Sequence, residues 1–521
     1  MTKTFRHLIG AEEVASESTF ESRNASDLSD LIGRFPEASR EQVRDACLSA
    51  REAFRSWSKT PAPIRGELIG RVGKALEREK ESLAKLVTRE VGKTLKEARG
   101  SVQEAIDTCH FFQSEGRRLY GQTVPSEMPN KELTTYRRPL GVVGIVTAGN
   151  FPVAVPSWKL VPALLTGNTV VWKPSEDAPA VAYAFVRLFE EAGLPPGVLN
   201  LIFGGGSGAA GEHLVTMMDE RLLDKFAFTG STVVGRQIGE VAGRNLLHPT
   251  LELGGKNPLV VMRDADLDNA VSGALWASFG TGGQRCTSAG NILLDAPIFD
   301  AFRDRFLEAT SAIRIGDPNL AEDILYGPFI NERFFGRWLE HYDWGETGGA
   351  TRLYGEGRIS AAARPEGFLG DPDAGYYGWP TVWQEVTPDM RLFQQEIFGP
   401  TINLVRVNGI HDAIEVANAV DYGLSSAIYT NNREWAFAFK DSVRSGMTSI
   451  NNSTTGAEAH MPFGGVKGSG NGARESGIWV IDNYTYWHGI NDDISGRLQL
   501  AQMDTRYVEP KGEVAVGELF G

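Results

Sequence analysis

The pattern of apolar and polar positions divides the chain into a helical segment and two segments of alternating type. Between residues 41 and 120, apolar residues recur at spacings of three and four among charges, which predicts amphipathic helices. From residue 141, short apolar runs such as GVVGIVTA, NTVVWK and VLNLIF alternate with helical patterns, and a second such series follows residue 253. Strands that alternate with helices predict βαβ units, so we expect two α/β domains built on mostly parallel sheets.

Two stretches do not fit this alternation. Residues 346–380 are rich in Gly, Pro and Ala with little periodicity, which predicts a surface excursion. Residues 139–158 carry no charge over a length that could span a membrane. Three prolines, Gly149 and Asn150 interrupt this run, so we expect two buried strands joined by a loop instead.

Length and charge narrow the class of protein. A chain of 521 residues exceeds the roughly 250–300 residues at which a single hydrophobic core stops growing, which predicts at least two domains. Hydrophobic residues make up 42% and charged residues 23%, as in a globular α/β chain. The net charge of -14 argues against a nucleic-acid partner, which requires clustered Lys and Arg.

Cysteine and histidine usage indicates the compartment. The three cysteines have no C-x-x-C spacing, and the eight histidines show no metal-ligand spacing, so we expect neither a disulfide framework nor a metal site. This usage fits a reducing compartment. The first residues, MTKTFRHLIGAEE, lack the apolar run of a signal peptide, which predicts a cytoplasmic protein without a membrane partner.

Three motifs follow predicted strands and could bind a nucleotide. GSGAAG (206–211) fits G-x-G-x-x-G, although a plain turn explains it equally well. Lys173 and Glu176 follow NTVVW at the carboxyl edge of the sheet, where a carboxylate can accept hydrogen bonds from ribose hydroxyls and would repel a 2′-phosphate. The alternative is that they are an exposed pair at the start of a helix. Gly230 and Ser231 begin a helix, where free N–H groups attract pyrophosphate, or Ser231 is only an N-cap.

Cys286 and Glu252 are the candidates for covalent chemistry. Cys286 lies in the loop TGGQRCTSAG, and Glu252 comes directly before two glycines in LELGGK. A thiolate could attack carbon while the carboxylate later activates water. A lone cysteine is more often structural, so the residues alone leave both interpretations open.

Seven motifs together resemble the NAD(P)-dependent aldehyde dehydrogenase superfamily, over about residues 20–490. They are AGNFP (148–152), KPSE (173–176), FTGS (228–231), LELGGK (251–256), GQRCTSAG (283–290), EIFGP (396–400) and MPFGGVKGSGNG (461–472). The resemblance implies an aldehyde dehydrogenase-like α/β fold with two doubly wound parallel-sheet domains and a small β extension that pairs subunits as a homodimer or homotetramer. Its implied parts are an NAD-binding domain (1–122 and 141–253), a catalytic domain (254–477), an oligomerisation extension (123–140 and 478–500) and a C-terminal tail (501–521).

The resemblance also implies a role for individual residues. Cys286 matches the nucleophile, Asn150 the amide that holds the oxyanion, and Glu252 the base that activates water for deacylation. The implied cofactor is NAD rather than NADP, because of Glu176. The positions that match cofactor-binding residues are Thr147, Lys173, Glu176, Gly206, Gly230, Ser231, Leu253, Glu396 and Phe398. In the family, Gly206 lies near the adenine and its motif is not an ordinary dinucleotide fingerprint.

Within the superfamily, FPVAVPSW, GAEAHMPFGG and GARESG look most like the branch that oxidises aminoadipic semialdehyde, also called piperideine-6-carboxylate. This branch implies that Arg285 and residues 456–458 bind a substrate carboxylate and that Glu104 faces its amine. The residues assigned to the substrate are Arg285, Gly456, Ala457, Phe463 and Glu104. The alternative is a broad-specificity enzyme for medium aliphatic or aromatic aldehydes, in which Arg285 is a structural donor. Gly149 stands where many relatives carry Trp, which implies a wider substrate tunnel.

Other classes of protein fit less well. A coenzyme A-acylating relative has no need for a water-activating carboxylate, so Glu252 counts against it. A cysteine esterase or hydrolase lacks a nearby histidine in the sequence. A non-catalytic scaffold has no need to combine Cys286, Glu252 and Asn150.

Overall fold

The computed structural model describes residues 3–205, 209–505, 512 and 515–521. The α-helices in this part of the chain are α1 Arg40–Trp57, α2 Ala62–Val91, α3 Leu95–Glu115, α4 Ala154–Leu165, α5 Pro179–Glu191, α6 Ala209–Thr216, α7 Thr232–Arg244, α8 Leu267–Phe279, α9 Phe299–Ser311, α10 Glu332–Gly348, α11 Arg391–Gln394, α12 Gly409–Asn418, α13 Arg433–Ser442, α14 Ile481–Tyr484 and α15 Val516–Leu519. The strands are β1 His7–Ile9, β2 Glu12–Val14, β3 Thr19–Asn24, β4 Asp27–Pro36, β5 Thr123–Val124, β6 Lys131–Pro139, β7 Val142–Val146, β8 Thr169–Lys173, β9 Leu199–Leu201, β10 Lys225–Thr229, β11 Thr250–Glu252, β12 Asn257–Val261, β13 Ala289–Asp295, β14 Thr351–Tyr354, β15 Thr381–Gln384, β16 Thr401–Val407, β17 Tyr422–Gly423, β18 Ser425–Tyr429, β19 Met447–Ile450, β20 Val466–Lys467 and β21 Thr485–Asp493.

The first sheet has the strand order β11-β10-β7-β8-β9-β1-β2. Strands β7 to β11 are parallel, whereas β1 and β2 are added antiparallel at one edge. Val143 and Trp172 pack on one face with α4 and α5, and Val142 and Val171 pack on the other with α1 and α6. Because helices cover both faces, the strands have uninterrupted apolar sequences.

The second sheet has the order β14-β15-β16-β13-β12-β18-β19, and all its strands except β14 are parallel. Leu259 and Ile292 pack on one face with α8 and α9, and Val260 and Leu293 pack on the other with α10 and α12. The prediction of two α/β units with mostly parallel sheets is therefore confirmed.

A third, antiparallel sheet joins two segments that are distant in the sequence. Its order is β21-β6-β5, and β21 pairs with β6 from Thr485 opposite Pro139 to Asp493 opposite Lys131. Strand β21 is exposed over most of its length and lies at the edge of this sheet. An exposed edge strand of this length is a surface on which another strand can pair.

Most residues of 346–380 are exposed or half-buried, as expected for a surface excursion, but the segment is also anchored to the second sheet and its core. Strand β14 pairs antiparallel with β15 in the second sheet, and Ile359, Phe368 and Tyr377 are buried in the core beside α8 and α9. The apolar residues of this segment are spaced irregularly, so their burial leaves no period in the sequence.

The expectation of two strands in the uncharged run 139–158 is half wrong. The first part forms β7, but the second part belongs to α4, in which all twelve residues are buried. A helix that is buried on every side shows no amphipathic period, which is why the pattern resembled a strand. In the part of the chain that the structure describes, no helix combines the length and the apolar character needed to cross a membrane.

Candidate active site

Four loops from the first sheet meet at one crevice. They follow β7 (147–150), β8 (173–177), β10 (230–231) and β11 (252–255). The strand order reverses at β7, because β8 lies on one side of β7 and β10 lies on the other. Ligands of open α/β sheets bind at such a reversal, beyond the carboxyl ends of the strands.

Cys286 lies between α8 and β13 in a loop with a fixed backbone. Residues 281–283 have φ between 55° and 68°, and a side chain at Gly283 would collide with the Gly399 carbonyl. The Asn257 amide donates to the Cys286 carbonyl at 2.8 Å. The loop therefore presents Cys286 in one position, as preorganised chemistry requires.

Cys286 lines a cavity of about 360 Å³ that is also lined by residues of α3, α4 and α8. The residues assigned to the substrate from the sequence, which are Arg285, Gly456, Ala457, Phe463 and Glu104, all line the same cavity. The structure thus brings the five together with the thiol. Glu458 does not belong to the group, since its side chain is exposed and pairs with His460 at 3.2 Å.

The thiol of Cys286 is in an environment that opposes its ionisation. Burial raises the pKa of the Cys286 thiol to about 12, and the carboxyls of Glu396 and Glu252 act in the same direction. The backbone amides of Cys286 and Thr287 lower this pKa but do not outweigh burial. A thiol becomes a good nucleophile only as thiolate, so activation requires a base or a positive charge supplied when ligands bind.

Asn150 approaches the cysteine loop from the carboxyl end of β7. Its side chain is buried, and Nδ2 donates to the Gln284 carbonyl at 2.9 Å. A primary amide has two N–H donors, so the second is available to an oxygen atom next to Cys286.

Glu252 lies at the end of β11 and is buried. Burial raises the pKa of Glu252 well above its usual value, and the nearby charge of Glu475 raises it further. Neither carboxylate oxygen accepts a hydrogen bond of ordinary geometry from the described residues. A buried carboxyl with free acceptors and a raised pKa has the properties of a general base.

Glu475 belongs to a buried ion pair that the sequence analysis missed. Lys159 on α4 donates to Glu475, and both side chains are buried. Burial raises the pKa of Glu475, while Lys159 and then Lys225 oppose the shift. The residues lie 316 positions apart, so no local pattern joins them.

Arg285 also has an acidic partner that the sequence analysis missed. Its Nη2 donates to Glu97 on α3, and its Nε donates to Thr281 at 2.8 Å. Burial opposes the charge of Glu97, but Arg285 and Lys93 outweigh burial and lower the pKa of this carboxyl. Glu97 and Glu104 are seven positions apart on one face of α3, a helical spacing that could have revealed Glu97.

The loop after β8 carries two of the predicted cofactor residues. Lys173 and Glu176 pair at 3.3 Å, and Arg333 lies 3.4 Å from Glu176. Burial opposes the charge of Glu176, but Lys173 and Arg333 outweigh it and lower the pKa of the carboxyl. Thr147 is buried beside them and accepts the Trp172 indole N–H at 3.0 Å.

The other predicted cofactor residues lie along the same crevice. Ser231 is the N-cap of α7 and directly follows Gly230, while Leu253 is buried after β11. Glu396 accepts the Gly255 amide at 3.2 Å, and Phe398 holds φ at 57°, which is rare for a bulky residue. Gly206 lies outside the described residues. The described members of this set lie at or just after the carboxyl ends of β7, β8, β10 and β11, except for Glu396 and Phe398, which line a small cavity with Gly255 and Arg285.

The model of the aldehyde dehydrogenase family matches residues 13–490 of the chain. The chain is 36% identical to α-ketoglutaric semialdehyde dehydrogenase of Bacillus subtilis, over 92% of this chain and 96% of that protein. It is 37% identical to vanillin dehydrogenase of Corynebacterium glutamicum, over 94% of this chain and 99% of that protein. Among solved structures, it resembles betaine aldehyde dehydrogenase from Staphylococcus aureus in complex with NAD+, with a TM-score of 0.90, 30% identity and coverage of 96% of each chain.

Proposed function

We propose that this chain, which belongs to the aldehyde dehydrogenase family, oxidises an aldehyde to a carboxylic acid with NAD through a thioester on Cys286. The predicted family is confirmed, and with it an enzyme that oxidises aldehydes. The observation that carries the proposed chemistry is that Cys286 lines a cavity while the Asn150 amide and the Glu252 carboxyl lie beside it.

In the first half-reaction, the Cys286 thiol loses its proton to solvent water, and the sulfur then bonds to the carbonyl carbon. The carbonyl π-electrons move to oxygen, and the Asn150 amide with the Cys286 backbone N–H donates to the resulting oxyanion. When bound, NAD supplies the acceptor for the hydride that leaves this carbon. Loss of the hydride re-forms the carbonyl as a thioester.

In the second half-reaction, Glu252 takes a proton from water as the water oxygen bonds to the thioester carbon. The tetrahedral species collapses, the carbon–sulfur bond breaks, and the acid leaves while the sulfur recovers a proton. The raised pKa of Glu252 makes it a stronger base than an exposed carboxylate.

The crevice fits an adenine dinucleotide. The N-terminus of the 13-residue helix α7 provides free N–H groups for pyrophosphate, and Val233 and Val234 present exposed apolar surface beside it. Glu176 and Glu396 provide carboxylates for two riboses. We propose NAD rather than NADP, because Glu176 is ionised and a 2′-phosphate beside it would be repelled. Glu176→Ser should raise the ratio of NADP to NAD use, and an unchanged ratio would place discrimination elsewhere.

For the substrate we propose an aldehyde with a carboxylate at its far end, of which aminoadipic semialdehyde is one example. The support is that Arg285, Gly456 and Ala457 line the same cavity as the thiol, and that a relative is named for α-ketoglutaric semialdehyde. A second candidate is a broad range of medium or aromatic aldehydes. The aromatic wall of Phe151, Trp158 and Trp276 and the relative named for vanillin favour it.

We also propose that the active form is a homodimer or homotetramer in the cytoplasm. The exposed edge of β21 is the surface available for pairing, and the sheet it shares with β5 and β6 is the proposed oligomerisation extension. The three cysteines are free thiols, as a reducing compartment requires. Within this proposal, residues 1–122 and 141–253 form the NAD-binding unit and residues 254–477 form the catalytic unit.

A panel assay tests this function. Formation of reduced nicotinamide is followed with NAD or NADP against straight-chain neutral aldehydes and semialdehyde acids of matched length. We expect the higher kcat/KM with NAD and with the acids. Equal rates with neutral aldehydes would support the broad-specificity candidate, and ester hydrolysis without NAD as the main activity would support a cysteine hydrolase.

A further inference from the structure

Lys93 is a buried cation that the proposed mechanism does not use. It occupies the short turn between α2 and α3, where Gly92 ends α2 with φ at 76° and Thr94 caps α3. This tight turn directs the side chain inward, and only 2% of the residue is exposed.

The Lys93 ammonium has no hydrogen-bond partner among the described residues. Its Nζ lies 3.0 Å from the centroid of the Phe151 ring. This ring lines the cavity and directly follows Asn150 in the chain. Lys93 therefore lies behind one ring of the cavity wall, and its charge is stabilised by the ring face and by neighbouring charges rather than by a salt bridge.

Lys93 belongs to a group that we name the charged wall, which consists of Lys93, Glu97, Glu104 and Arg285. The charges of Glu97 and Arg285 cancel, since these two form an ion pair. Glu104 lines the cavity, and burial raises the pKa of this carboxyl to about 8 although Lys93 and the Trp158 indole oppose the shift, so it is mostly uncharged at neutral pH. In its protonated form, Lys93 is then the uncompensated charge of the charged wall.

We infer that Lys93 selects the anionic end of the substrate, by holding a net positive charge behind Phe151 that a substrate carboxylate in the cavity neutralises. Lys93 acts through the wall and is a positioning residue. The inference rests on the proposed acidic aldehyde. In a buried site a charge of opposite sign is attracted over several ångströms, whereas a neutral aldehyde of the same length gains nothing from it.

Two further features fit this role. An uncharged Glu104 donates a hydrogen bond to a carboxylate instead of repelling it. Burial lowers the pKa of Lys93 to about 7, with Arg285 acting in the same direction and Glu97, Glu104 and Cys286 opposing. An anionic substrate beside the wall stabilises the ammonium, so its binding is accompanied by proton uptake.

The test compares Lys93→Met with Lys93→Arg, assayed with 5-oxopentanoate and with pentanal. We expect Lys93→Met to raise KM for 5-oxopentanoate by about tenfold or more with a much smaller change for pentanal, and Lys93→Arg to retain the preference. Lys85→Met, which removes an exposed lysine of α2, is the matched control and should leave both substrates unchanged. An equal loss for both substrates in Lys93→Met would overturn the inference.

A pH series on the wild-type enzyme keeps the inference testable if Lys93→Met does not fold. From about pH 6 to about pH 9, Lys93 loses its charge and Glu104 gains one, so the ratio of kcat/KM for 5-oxopentanoate to that for pentanal should fall. A constant ratio would overturn the inference. A wild-type enzyme that shows no preference for 5-oxopentanoate at any pH refutes the proposed substrate class itself, before any variant is compared.

Discussion

Replacing Glu97 with Gln should lower thermal stability and leave the preference for an acidic aldehyde about unchanged, because Arg285 loses its partner while Lys93 loses a carboxylate that raises its pKa. Glu97 forms an ion pair with Arg285, and only 5% of the Glu97 side chain and 7% of the Arg285 side chain are exposed. Glu97 also accepts the Thr281 hydroxyl at 2.7 Å. A glutamine keeps the shape and can still accept hydrogen bonds, so the substitution removes charge and leaves the Arg285 guanidinium uncompensated beside the cavity.

The expected loss follows from the burial of the pair. Removing one partner of a buried ion pair costs about 3–5 kcal/mol. At roughly 2.1 cal/mol/K of unfolding entropy per residue, a cooperative unit of 521 residues has an unfolding entropy of about 1.1 kcal/mol/K. The melting temperature should therefore fall by about 3–5 °C.

Differential scanning calorimetry measures the shift, and the assay with 5-oxopentanoate and pentanal measures the preference. Glu81→Gln is the matched control, because Glu81 pairs with Arg99 on the exposed surface and its loss should leave both readouts unchanged. An unshifted melting temperature would refute the account of a buried charge pair. A preference that rises sharply would show that Lys93 keeps its charge without Glu97, and one that falls sharply would show that the Arg285 charge does not reach the substrate.

Two further substitutions test the chemistry. Asn150→Ala should slow thioester formation about 100- to 1,000-fold, because the oxyanion loses a hydrogen-bond donor. Stopped-flow absorbance of reduced nicotinamide measures this step. A rate within a few fold of wild type would show that Asn150 does not bind the oxyanion. Glu475→Gln should lower the pKa of Glu252, since the Glu475 charge raises it. The deacylation rate, which requires ionised Glu252, should then reach its plateau at lower pH in single-turnover measurements. An unchanged pH profile would contradict the effect of the Glu475 charge on the pKa of Glu252.

Much of the architecture could be predicted from the sequence because it depends on local patterns of apolar and polar residues. The alternation of apolar runs and amphipathic segments predicts both parallel sheets, and the apolar runs that precede Lys173, Ser231 and Glu252 predict that these residues lie at strand ends. The N-terminal strands β1 to β4 were not predicted. Strands β2 and β3 are short and largely polar, as in EEV and TFESRN, and β1 has only three residues. Strand β4 is longer but mixes apolar residues with Asp, Ser and Arg, so none of the four shows a clear helical or strand period.

The charges around the site could not be predicted in the same way. Glu97 and Arg285 lie 188 positions apart, and Lys159 and Glu475 lie 316 apart, so only the folded chain joins them. The family resemblance implies the roles of Cys286 and Glu104, whereas Lys93 lies in none of the quoted motifs. Its significance comes from burial without a partner, which is a property of packing rather than of sequence spacing.

The most direct test of covalent catalysis is a single-turnover experiment with Glu252→Gln, in which the enzyme is mixed with NAD and an aldehyde and then examined by mass spectrometry. The account predicts a burst of one reduced nicotinamide per active site, followed by very slow turnover, with the acyl group on the peptide that contains Cys286. Cys286→Ser is the control and should give neither burst nor adduct. Steady turnover by Glu252→Gln at the wild-type rate, with Cys286 unmodified, would contradict the thioester mechanism.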